Sequence, residues 1–187
     1  LLIPMQVEGA SMYPTLNYEY SSTNNVYAND IVYLYKTAEV FYNDIIVFDA
    51  TNYSNTQNQE QIYYIKRVIA VAGDILQFKK VGETSIDNIA KFVLYKNGVL
   101  LEESYTAGDM LYNVKSDKFA HIVNEEIITI PENSIYVMGD NRNNSKDSRE
   151  LGPIQIENVV GRVCIHVPYG HTLIYGFLNA IKNGYLF

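Results

Sequence analysis

Cysteine, histidine and tryptophan are scarce or missing in this sequence of 187 residues, which has one cysteine, three histidines and no tryptophan. Because Cys164 stands alone, no disulfide can form within the chain, and the fold depends on its hydrophobic core. No apolar run approaches the ~18 residues that a membrane-spanning helix requires. Acidic residues outnumber basic ones, 21 to 14, and the resulting net charge of −7 argues against nucleic acid as a partner.

The residues that are abundant indicate a globular chain rich in β-structure. Hydrophobic residues make up 48% and charged residues 19% of the sequence, which is ordinary for a folded domain. Seventeen tyrosines and seven phenylalanines favour pleated, half-buried strands. We therefore expect a mainly β protein, built as one domain or as one domain with an insertion. The apolar start at Leu1, without an initiator methionine, suggests that a further segment precedes this sequence.

Short runs of apolar and β-branched residues, separated by polar turns, predict a series of strands. They are Ile31–Tyr35, Ile45–Phe48, Ile62–Ala72, Ile75–Phe78, Val93–Lys96, Val99–Leu101, Ile127–Ile130, Ile135–Met138 and Val159–Val167. Asn97-Gly98 between two of these runs is typical of a two-residue hairpin turn of type I′. Thr51–Gln61 has the composition of a loop, and the apolar spacing predicts one helix, Thr172–Lys182. Glu102–Glu126 has no sustained period and is interpreted as part of an insertion that rests on the core.

The turn Gly9-Ala10-Ser11-Met12-Tyr13-Pro14-Thr15-Leu16, which follows the apolar start, presents the hydroxyl of Ser11. Gly9 leaves room for another backbone, and Pro14 fixes φ just beyond the serine. Such a turn can present a nucleophile, but a serine that hydrogen-bonds its own turn is the commoner case. These eight residues alone favour that ordinary role, so a catalytic Ser11 requires a base from elsewhere in the chain.

Histidine is the usual base for a serine nucleophile, yet none of the three histidines lies in a distinctive polar setting. His121 falls in the poorly patterned region, and His166 and His171 flank a turn after the last predicted strand. A Ser-x-x-Lys arrangement also fails, because the residue three after Ser11 is Pro14. A lysine elsewhere in the chain is therefore the remaining candidate for the base.

Lys66 is the best candidate, because it lies in a long apolar run that predicts a strand buried on both faces. Alternation places four neighbours on its own face, namely Ile62, Tyr64, Val68 and Ala70. Burial disfavours the charged form and can lower the pKa of a lysine from ~10.4 to the ~7–8 of a useful general base. The competing interpretation is a lysine whose amine reaches water at the edge of the strand.

The polar segment Gly139–Arg149 combines many hydrogen-bond donors and acceptors. A calcium-binding loop is excluded, because the glycine and glutamate that it needs at its sixth and twelfth positions are replaced. Asp147 with Arg149, and Asp140 with some other arginine, can form charge-assisted hydrogen bonds that lock the segment. A locked loop beside Lys66 would offer a hydroxyl to orient its amine, whereas an ordinary solvated loop is the alternative.

Taken together, four stretches resemble type I signal peptidases, the membrane-anchored Ser–Lys proteases that cut signal peptides from exported proteins. They are Gly9–Leu16, Asp44–Phe48, Tyr64–Ile69 with Gly73-Asp74, and Gly139–Arg149, in the order and spacing of that family. The resemblance implies an antiparallel β-sheet core of the signal-peptidase type in residues 1–76 and 134–187, with few short helices. Residues 77–133 carry little of the match and are expected to form an inserted, cap-like region.

The resemblance also implies a role for each matching position. Ser11 is similar to the nucleophile of the family, Lys66 to its general base, and Ser145 to the serine that orients the lysine amine. Four charged residues match positions that brace the site: Arg67, Asp140, Asp147 and Arg149. Six residues match positions that line shallow pockets for small substrate side chains: Met5, Val7, Met12, Leu16, Tyr64 and Ile65. No metal or cofactor is implied.

The sequence departs from the family pattern at two places. Some members carry a serine two residues before the nucleophile, where this chain has Gly9, so the backbone N–H of Ser11 is expected to carry most of the oxyanion. The family's frequent Gly-x-Pro-Gly-Asp is replaced by Ala70-Val71-Ala72-Gly73-Asp74. This second change affects a turn and leaves the Ser–Lys pair intact.

A serine endopeptidase that releases signal peptides after an Ala-x-Ala-like site is the function that this resemblance implies. Its partners would be preproteins, and an N-terminal anchor outside this sequence would hold it at the cell membrane, with the catalytic domain on the extracytoplasmic face. Two other functions stay open. One is a related pilus assembly factor that binds a pilin with little or no cleavage. The other is a self-cleaving repressor, which the acidic charge and the lack of a helix-turn-helix segment disfavour.

Overall fold

The structure is a computed structural model that describes residues 2–18, 20–21, 26–27, 29–36, 39–53 and 61–183. Its strands are β1 (Leu2–Gln6), β2 (Tyr20–Ser21), β3 (Val26–Tyr27), β4 (Ile31–Tyr35), β5 (Ile45–Asp49), β6 (Tyr63–Val71), β7 (Ile75–Val81), β8 (Ile89–Lys96), β9 (Val99–Leu100), β10 (Met110–Asn113), β11 (Ile127–Thr129), β12 (Ser134–Met138), β13 (Ile154–Gln155) and β14 (Val159–Val167). Its α-helices are α1 (Ala120–Val123), α2 (Ser148–Leu151) and α3 (Leu173–Lys182), and 3₁₀ turns occur at Thr51–Tyr53, Asp117–Phe119 and Ile156–Asn158. The prediction of a mainly β protein with few short helices is confirmed.

Two antiparallel sheets contain most of these strands. The larger sheet has the order β1-β4-β14-β5-β6-β12-β13. The smaller sheet has the order β10-β8-β7-β11, with β9 paired to β8, and β2 and β3 form a separate ribbon. In the larger sheet β6 is hydrogen-bonded to β5 on one side and to β12 on the other. The larger sheet therefore holds β6 in its interior and β1 at its edge.

Local sequence signals set several of the connections. Asn97 and Gly98 have φ values of 53° and 81°, as a type I′ turn requires, and they join β8 to β9. The hydroxyl of Thr172 accepts a hydrogen bond from the first turn of α3 and caps that helix. Leu1 and residues 54–60, which include most of the predicted loop, lie outside the described residues. The hairpin and the helix that the sequence predicts are both confirmed.

Strand β6 departs from strict alternation at one point. In its pairing with β12, Val68 lies opposite Val137 and Ala70 lies opposite Tyr136, so that Ile69 is an extra residue on β6. This β-bulge sends Val68 and Ala70 into different hydrophobic clusters. The prediction that Ala70 shares a face with Lys66 is therefore wrong, because alternation holds only up to the bulge.

The hydrophobic core continues from one sheet to the other. Phe78, Phe92 and Leu94 of the smaller sheet pack with Ile69 and Tyr136 of the larger sheet in one buried cluster. Fully burying a side chain of this size stabilises the fold by about 1.5–3 kcal/mol. The strands between β7 and β11 therefore rest on β6 and β12, which fixes the smaller sheet beside the strand that carries Lys66.

Helix α3 packs against β14 through small residues. Ala180 is buried there, and a Cβ added to Gly176 would collide with Val167. The larger apolar side chains whose spacing predicted the helix are exposed: Leu173, Phe177, Leu178 and Ile181. Among the helices that the structure describes, none has the length and apolar character needed to cross a bilayer.

Candidate active site

Ser11 lies in a turn that follows directly from the edge strand β1. Gly9 has a φ of +77°, in the left-handed region that favours glycine. The buried side chain of Asn17 donates hydrogen bonds to the carbonyls of Val7 (3.0 Å) and Gly9 (2.9 Å). Asp30 accepts a hydrogen bond from the backbone N–H of Asn17 at 2.7 Å. A small buried polar cluster thus holds the turn that presents Ser11.

The Nζ atom of Lys66 lies 2.8 Å from the Oγ atom of Ser11, although the two residues are 55 positions apart. A second contact of 2.8 Å joins the same Nζ to the carbonyl oxygen of Ile65. Because β6 lies inside the larger sheet, only 4% of Lys66 is exposed. The competing interpretation, in which the Lys66 amine reaches water at the strand edge, is therefore wrong.

Burial also sets the protonation of Lys66. Desolvation lowers its pKa from 10.5 to about 8; the Asp147 and Asp140 carboxylates oppose this fall, and the Arg149 charge adds to it. Within the described residues, Lys66 forms no ion pair. An amine with this pKa is half neutral near pH 8 and can then accept a proton.

Arg67, the next residue on β6, is held by a carboxylate. Its guanidinium donates to both oxygens of Asp140, at 2.8 and 2.6 Å, and both side chains are buried. Asp140 also accepts a hydrogen bond from the hydroxyl of Thr15, and Arg67 donates to the oxygens of Asn43. The arginine that pairs with Asp140, which the sequence leaves open, is therefore Arg67.

Asp147 and Arg149 form a second buried pair, with two hydrogen bonds of 2.8 and 2.7 Å. Asp147 also accepts from the backbone N–H of Gly139, and Arg149 donates to the hydroxyl of Tyr112 and to the carbonyl of Arg142. Burial raises the pKa of Asp147, but the Arg149 charge and these hydrogen bonds outweigh burial and hold the pKa below its ordinary value. The ion pair that the sequence predicts is present, and it locks the segment.

Ser145 lies in the same segment but does not form the predicted hydrogen bond with Lys66. Its Oγ is buried and has no hydrogen-bond partner among the described residues, although it lies near enough to Asp147 to help lower the pKa of that carboxylate. A Cβ added to Gly139 would overlap both Ser145 Oγ and the carbonyl of Ser11, so glycine allows this close packing. The hydrogen bond expected from Ser145 to the Lys66 amine is therefore absent among the described residues, where Nζ contacts Ser11 and Ile65.

A cleft of about 780 Å³ runs along Ser11 and Lys66. Four of the residues expected to bind substrate line it: Met5, Val7, Tyr64 and Ile65. Met12 and Leu16 do not line the cleft, since each is 1% exposed and packs in the cluster beneath it. The N–H of Leu16 bonds to the carbonyl of Met12, and this single helical turn directs both side chains inward. The prediction for these two residues is therefore wrong.

The smaller sheet and its connections supply another wall of the cleft. Four residues of this region line it: Leu111, Tyr112, Lys118 and Phe119. The segment from Arg142 to Lys146 lines the space beside them. The division at residues 77 and 133 stays a prediction, but residues from this part of the chain do reach the cleft.

The three histidines lie away from the described lining of the cleft. His166 Nε2 is 2.7 Å from the carboxylate of Asp30, His171 stacks on Tyr175, and His121 lies in α1. No group of three or more His, Cys, Asp or Glu side chains in the described part of the chain is arranged to hold a metal ion.

Sequence reasoning missed several polar residues that join distant segments. The backbone N–H of Asn141 donates to the carbonyl of Ser11 at 3.1 Å, and its side chain donates to the carbonyl of Ala10. Arg142 forms a buried, two-bonded ion pair with Glu103, at 2.5 and 2.6 Å. The place of Asn141 and Arg142 between two predicted bracing aspartates was a usable signal. Glu103 gave none, because it is one acidic residue among several in a region without pattern.

Comparison with known proteins finds relatives that match most of the chain. Residues 1–167 match the model of the family described as signal peptidase, peptidase S26. The chain is 32% identical over 164 residues to signal peptidase I S of Bacillus subtilis (strain 168), which covers 86% of this chain and 74% of that protein. It is 31% identical over 174 residues to signal peptidase IB of Staphylococcus aureus (strain Mu50), with 87% and 76% covered.

Two further similarities have different extents. The chain is 30% identical over 163 residues to thylakoidal processing peptidase 1, chloroplastic, of Arabidopsis thaliana, covering 85% of this chain but 40% of that protein. A solved structure of a signal peptidase I from Enterococcus faecalis V583 is 25% identical and covers 66% of this chain and 96% of that chain, with a TM-score of 0.43. The family match includes the Ser11 turn, β6 and Gly139–Arg149. The chain therefore belongs to the signal peptidase family, peptidase S26.

Proposed function

We propose that this chain is a serine endopeptidase that removes signal peptides from exported preproteins, with Ser11 as nucleophile and Lys66 as general base. The observation that carries the proposal is the 2.8 Å contact between Lys66 Nζ and Ser11 Oγ beside an open cleft. A lysine can act as a base only where its pKa is lowered toward the working pH, and burial lowers that of Lys66 to about 8. Membership of the signal peptidase family supports the same activity.

The reaction would proceed in two steps. The neutral amine of Lys66 takes the proton from Ser11 Oγ, which attacks the scissile carbonyl carbon. The protonated amine then gives its proton to the departing amine nitrogen, and the acyl group stays on Ser11. A water molecule, deprotonated by the same lysine, attacks the acyl carbon; the bond to Ser11 Oγ breaks, and the lysine returns its proton to Oγ. The backbone N–H of Ser11 would bind the oxyanion, since Gly9 offers no hydroxyl, and one such donor is typically worth ~2.7–4 kcal/mol.

The substrate would bind as an extended strand. Since β1 is the terminal strand of the larger sheet and leads into the Ser11 turn, a peptide paired with its edge would pass the nucleophile. Met5, Val7 and Ile65 give this part of the cleft an apolar lining that suits small residues such as those of an Ala-x-Ala site. As the family resemblance implies, an N-terminal anchor would hold the catalytic domain at the cell membrane on its extracytoplasmic face.

Cleavage of an Ala-x-Ala preprotein peptide, read by mass spectrometry, tests the proposal. We expect both Ser11→Ala and Lys66→Met to reduce kcat/KM by ~10⁴-fold or more, because either change removes the nucleophile or its base. Lys96→Met is the matched control, since Lys96 lies on β8 and is paired with Asp74. An unaltered chain that leaves the peptide intact would contradict the proposal. An intact peptide together with tight binding of a pilin would favour the assembly factor instead.

The pH profile of the same reaction gives a further check on Lys66. Because the neutral amine is the reactive form, kcat/KM should rise with pH and level off above a limb near pH 8. A limb at the ordinary lysine value of ~10.4 would show that the base is not a buried lysine.

A further inference from the structure

The loop between β9 and β10, residues 101–109, reaches from the smaller sheet to the ion pairs beside Lys66. Its Glu103 forms the buried pair with Arg142, in which the side chains are 8% and 1% exposed. Its Ala107 donates a backbone hydrogen bond of 3.0 Å to the carbonyl of Asp140. The β9–β10 loop therefore contacts the segment Gly139–Arg149 at two residues, Asp140 and Arg142.

Tyr105 is the central residue of this loop. Its ring lies close to two guanidinium groups, with the Cζ of Arg67 4.0 Å and the Cζ of Arg142 6.0 Å from the ring centroid. Its hydroxyl donates a 2.8 Å hydrogen bond to the Glu103 carboxylate. A guanidinium stacked on an aromatic face is held in one plane and shielded from water on that side. Tyr105 and Glu103 thus hold two arginines at once.

Each of these arginines is next in sequence to a residue of the candidate site. Arg67 follows Lys66, and Arg142 follows Asn141, which contacts Ser11. The side chain of Arg67 also holds Asp140. The residue after Asp140 is Asn141, whose backbone N–H holds the carbonyl of Ser11. A loss of the stacking on Arg67 would therefore loosen both sides of the Ser11–Lys66 contact. Tyr105 itself is not among the residues that line the cleft, so this effect would not pass through substrate binding.

We propose that Tyr105 and Glu103 are positioning residues that fix the geometry of the Ser11–Lys66 pair, and that the β9–β10 loop thereby has a part in catalysis. The inference rests on the proposed function of that pair. The charged groups that face Lys66 are Asp147, Arg149 and Asp140. Loosening the Arg67–Asp140 pair admits water beside Lys66 and lets the Asp140 carboxylate approach it, and both changes favour the protonated amine.

Titration of the Lys66 side chain by NMR, with labelled lysine, tests the proposal without substrate, and kcat and KM are measured in parallel. The Lys66→Met spectrum identifies the signal. We expect Tyr105→Leu to move the titration midpoint and the limb of kcat/KM upward together by about half a pH unit or more. We also expect kcat to fall about tenfold or more, with KM within about threefold, because geometry rather than binding is altered.

Three companion variants separate positioning from general packing. Tyr105→Phe keeps the ring on Arg67 and should retain kcat within about threefold. Glu103→Gln removes the counter-charge of Arg142 and should lower kcat by more than Tyr105→Phe does. Tyr95→Leu is the matched control, since the Tyr95 ring stacks with Lys79 at 4.5 Å on the smaller sheet. It should leave the Lys66 titration unchanged.

Folded Tyr105→Leu and Glu103→Gln proteins with unaltered Lys66 titration and unaltered kcat would overturn the proposal. So would a shift of the same size in Tyr95→Leu. If Tyr105→Leu does not fold, the comparison of Glu103→Gln with Tyr105→Phe decides. Because the titration needs no cleavage, an unaltered chain that cuts no peptide contradicts the proposed function, whereas an unmoved titration contradicts the role of the loop.

Discussion

Lys66 and Arg67 are neighbours on β6, yet the regions around their two charges are built in opposite ways. Arg67, Arg142 and Arg149 each donate two hydrogen bonds to one carboxylate. Lys66 contacts a hydroxyl and a carbonyl instead. A buried cation with a carboxylate partner keeps its proton, whereas one without a partner loses it more easily. The paired arginines can therefore form a rigid scaffold, while the unpaired lysine keeps the lowered pKa that the proposed base requires.

The choice of side chain fits this division. A guanidinium stays charged in proteins and offers a planar fork of donors that matches a carboxylate. An ammonium is a flexible point charge whose pKa responds to burial. The three arginines suit the fixed brace, and Lys66 suits a position where the proposed mechanism needs a neutral amine that can accept a proton. The difference teaches that two adjacent, equally buried cations can have opposite tasks, set by whether a carboxylate accompanies them.

The largest expected effect comes from removing a carboxylate in the paired region. Asp147→Asn leaves the buried Arg149 without its counter-charge, and breaking a buried pair in this way costs about 3–5 kcal/mol. Urea unfolding at pH 7 measures the loss, with Asp109→Asn as the exposed control. A loss below about 1 kcal/mol would show that the pair does not brace the fold.

The pH dependence of the same measurement follows from the sign of the shift. The pKa of Asp147 is lowered in the folded chain, so its contribution is present above the unfolded carboxyl pKa of ~3.9 and is lost as the pH falls through the folded value. The stability difference between the unaltered chain and Asp147→Asn should therefore narrow in acid.

Substitution of the unpaired Lys66 should change the stability in the opposite direction to substitution of Asp147. The pKa of Lys66 falls from 10.5 to about 8 on folding, so the folded chain holds fewer protons between these two values, and stability rises with pH across that window. Below pH 8 the full cost of burying the charge is present. Lys66→Met should therefore stabilise the chain by about 2–3 kcal/mol at pH 7, and the gain should vanish above ~pH 10.5.

Thermal or urea unfolding of Lys66→Met at pH 7 and at high pH checks this result. Lys96→Met is the control, because Lys96 has Asp74 as a partner and its loss should not stabilise the chain. A Lys66→Met protein that is less stable than the unaltered chain at pH 7 would mean that burial of Lys66 carries no electrostatic cost.

Several of these features could be predicted from the sequence, because they depend on local signals. The apolar run around Lys66 predicts a buried lysine, and Asn97-Gly98 predicts the hairpin that joins β8 to β9. The family motifs bring Ser11 and Lys66 to the same site, and the structure places them 2.8 Å apart. Each signal lies within a few residues of the feature that it predicts or in a motif read as a unit.

The features that were missed depend on contacts between distant segments. The bulge at Ile69 is set by pairing with β12, and alternation within β6 carries no sign of it. Met12 and Leu16 turn inward because the Ser11 turn closes a helical turn, which their spacing alone does not distinguish from a lining role. Glu103 meets Arg142 across 39 positions, from a stretch without periodicity.

The smallest expected effect concerns an exposed ion pair, and it sharpens what the buried pairs mean. Lys91 Nζ lies 2.7 Å from Asp109, as close as the atoms of the Asp147–Arg149 pair, but the side chains are 43% and 57% exposed. Water screens such a pair, so a double-mutant cycle with Lys91→Met and Asp109→Asn should give a coupling energy below about 0.5 kcal/mol that shrinks as salt is added. A salt-insensitive coupling above about 1 kcal/mol would show that distance alone sets the strength of these pairs. A weak coupling would instead show that burial sets the difference in strength between the exposed and the buried ion pairs. Burial is also the factor that lowers the pKa of the unpaired Lys66.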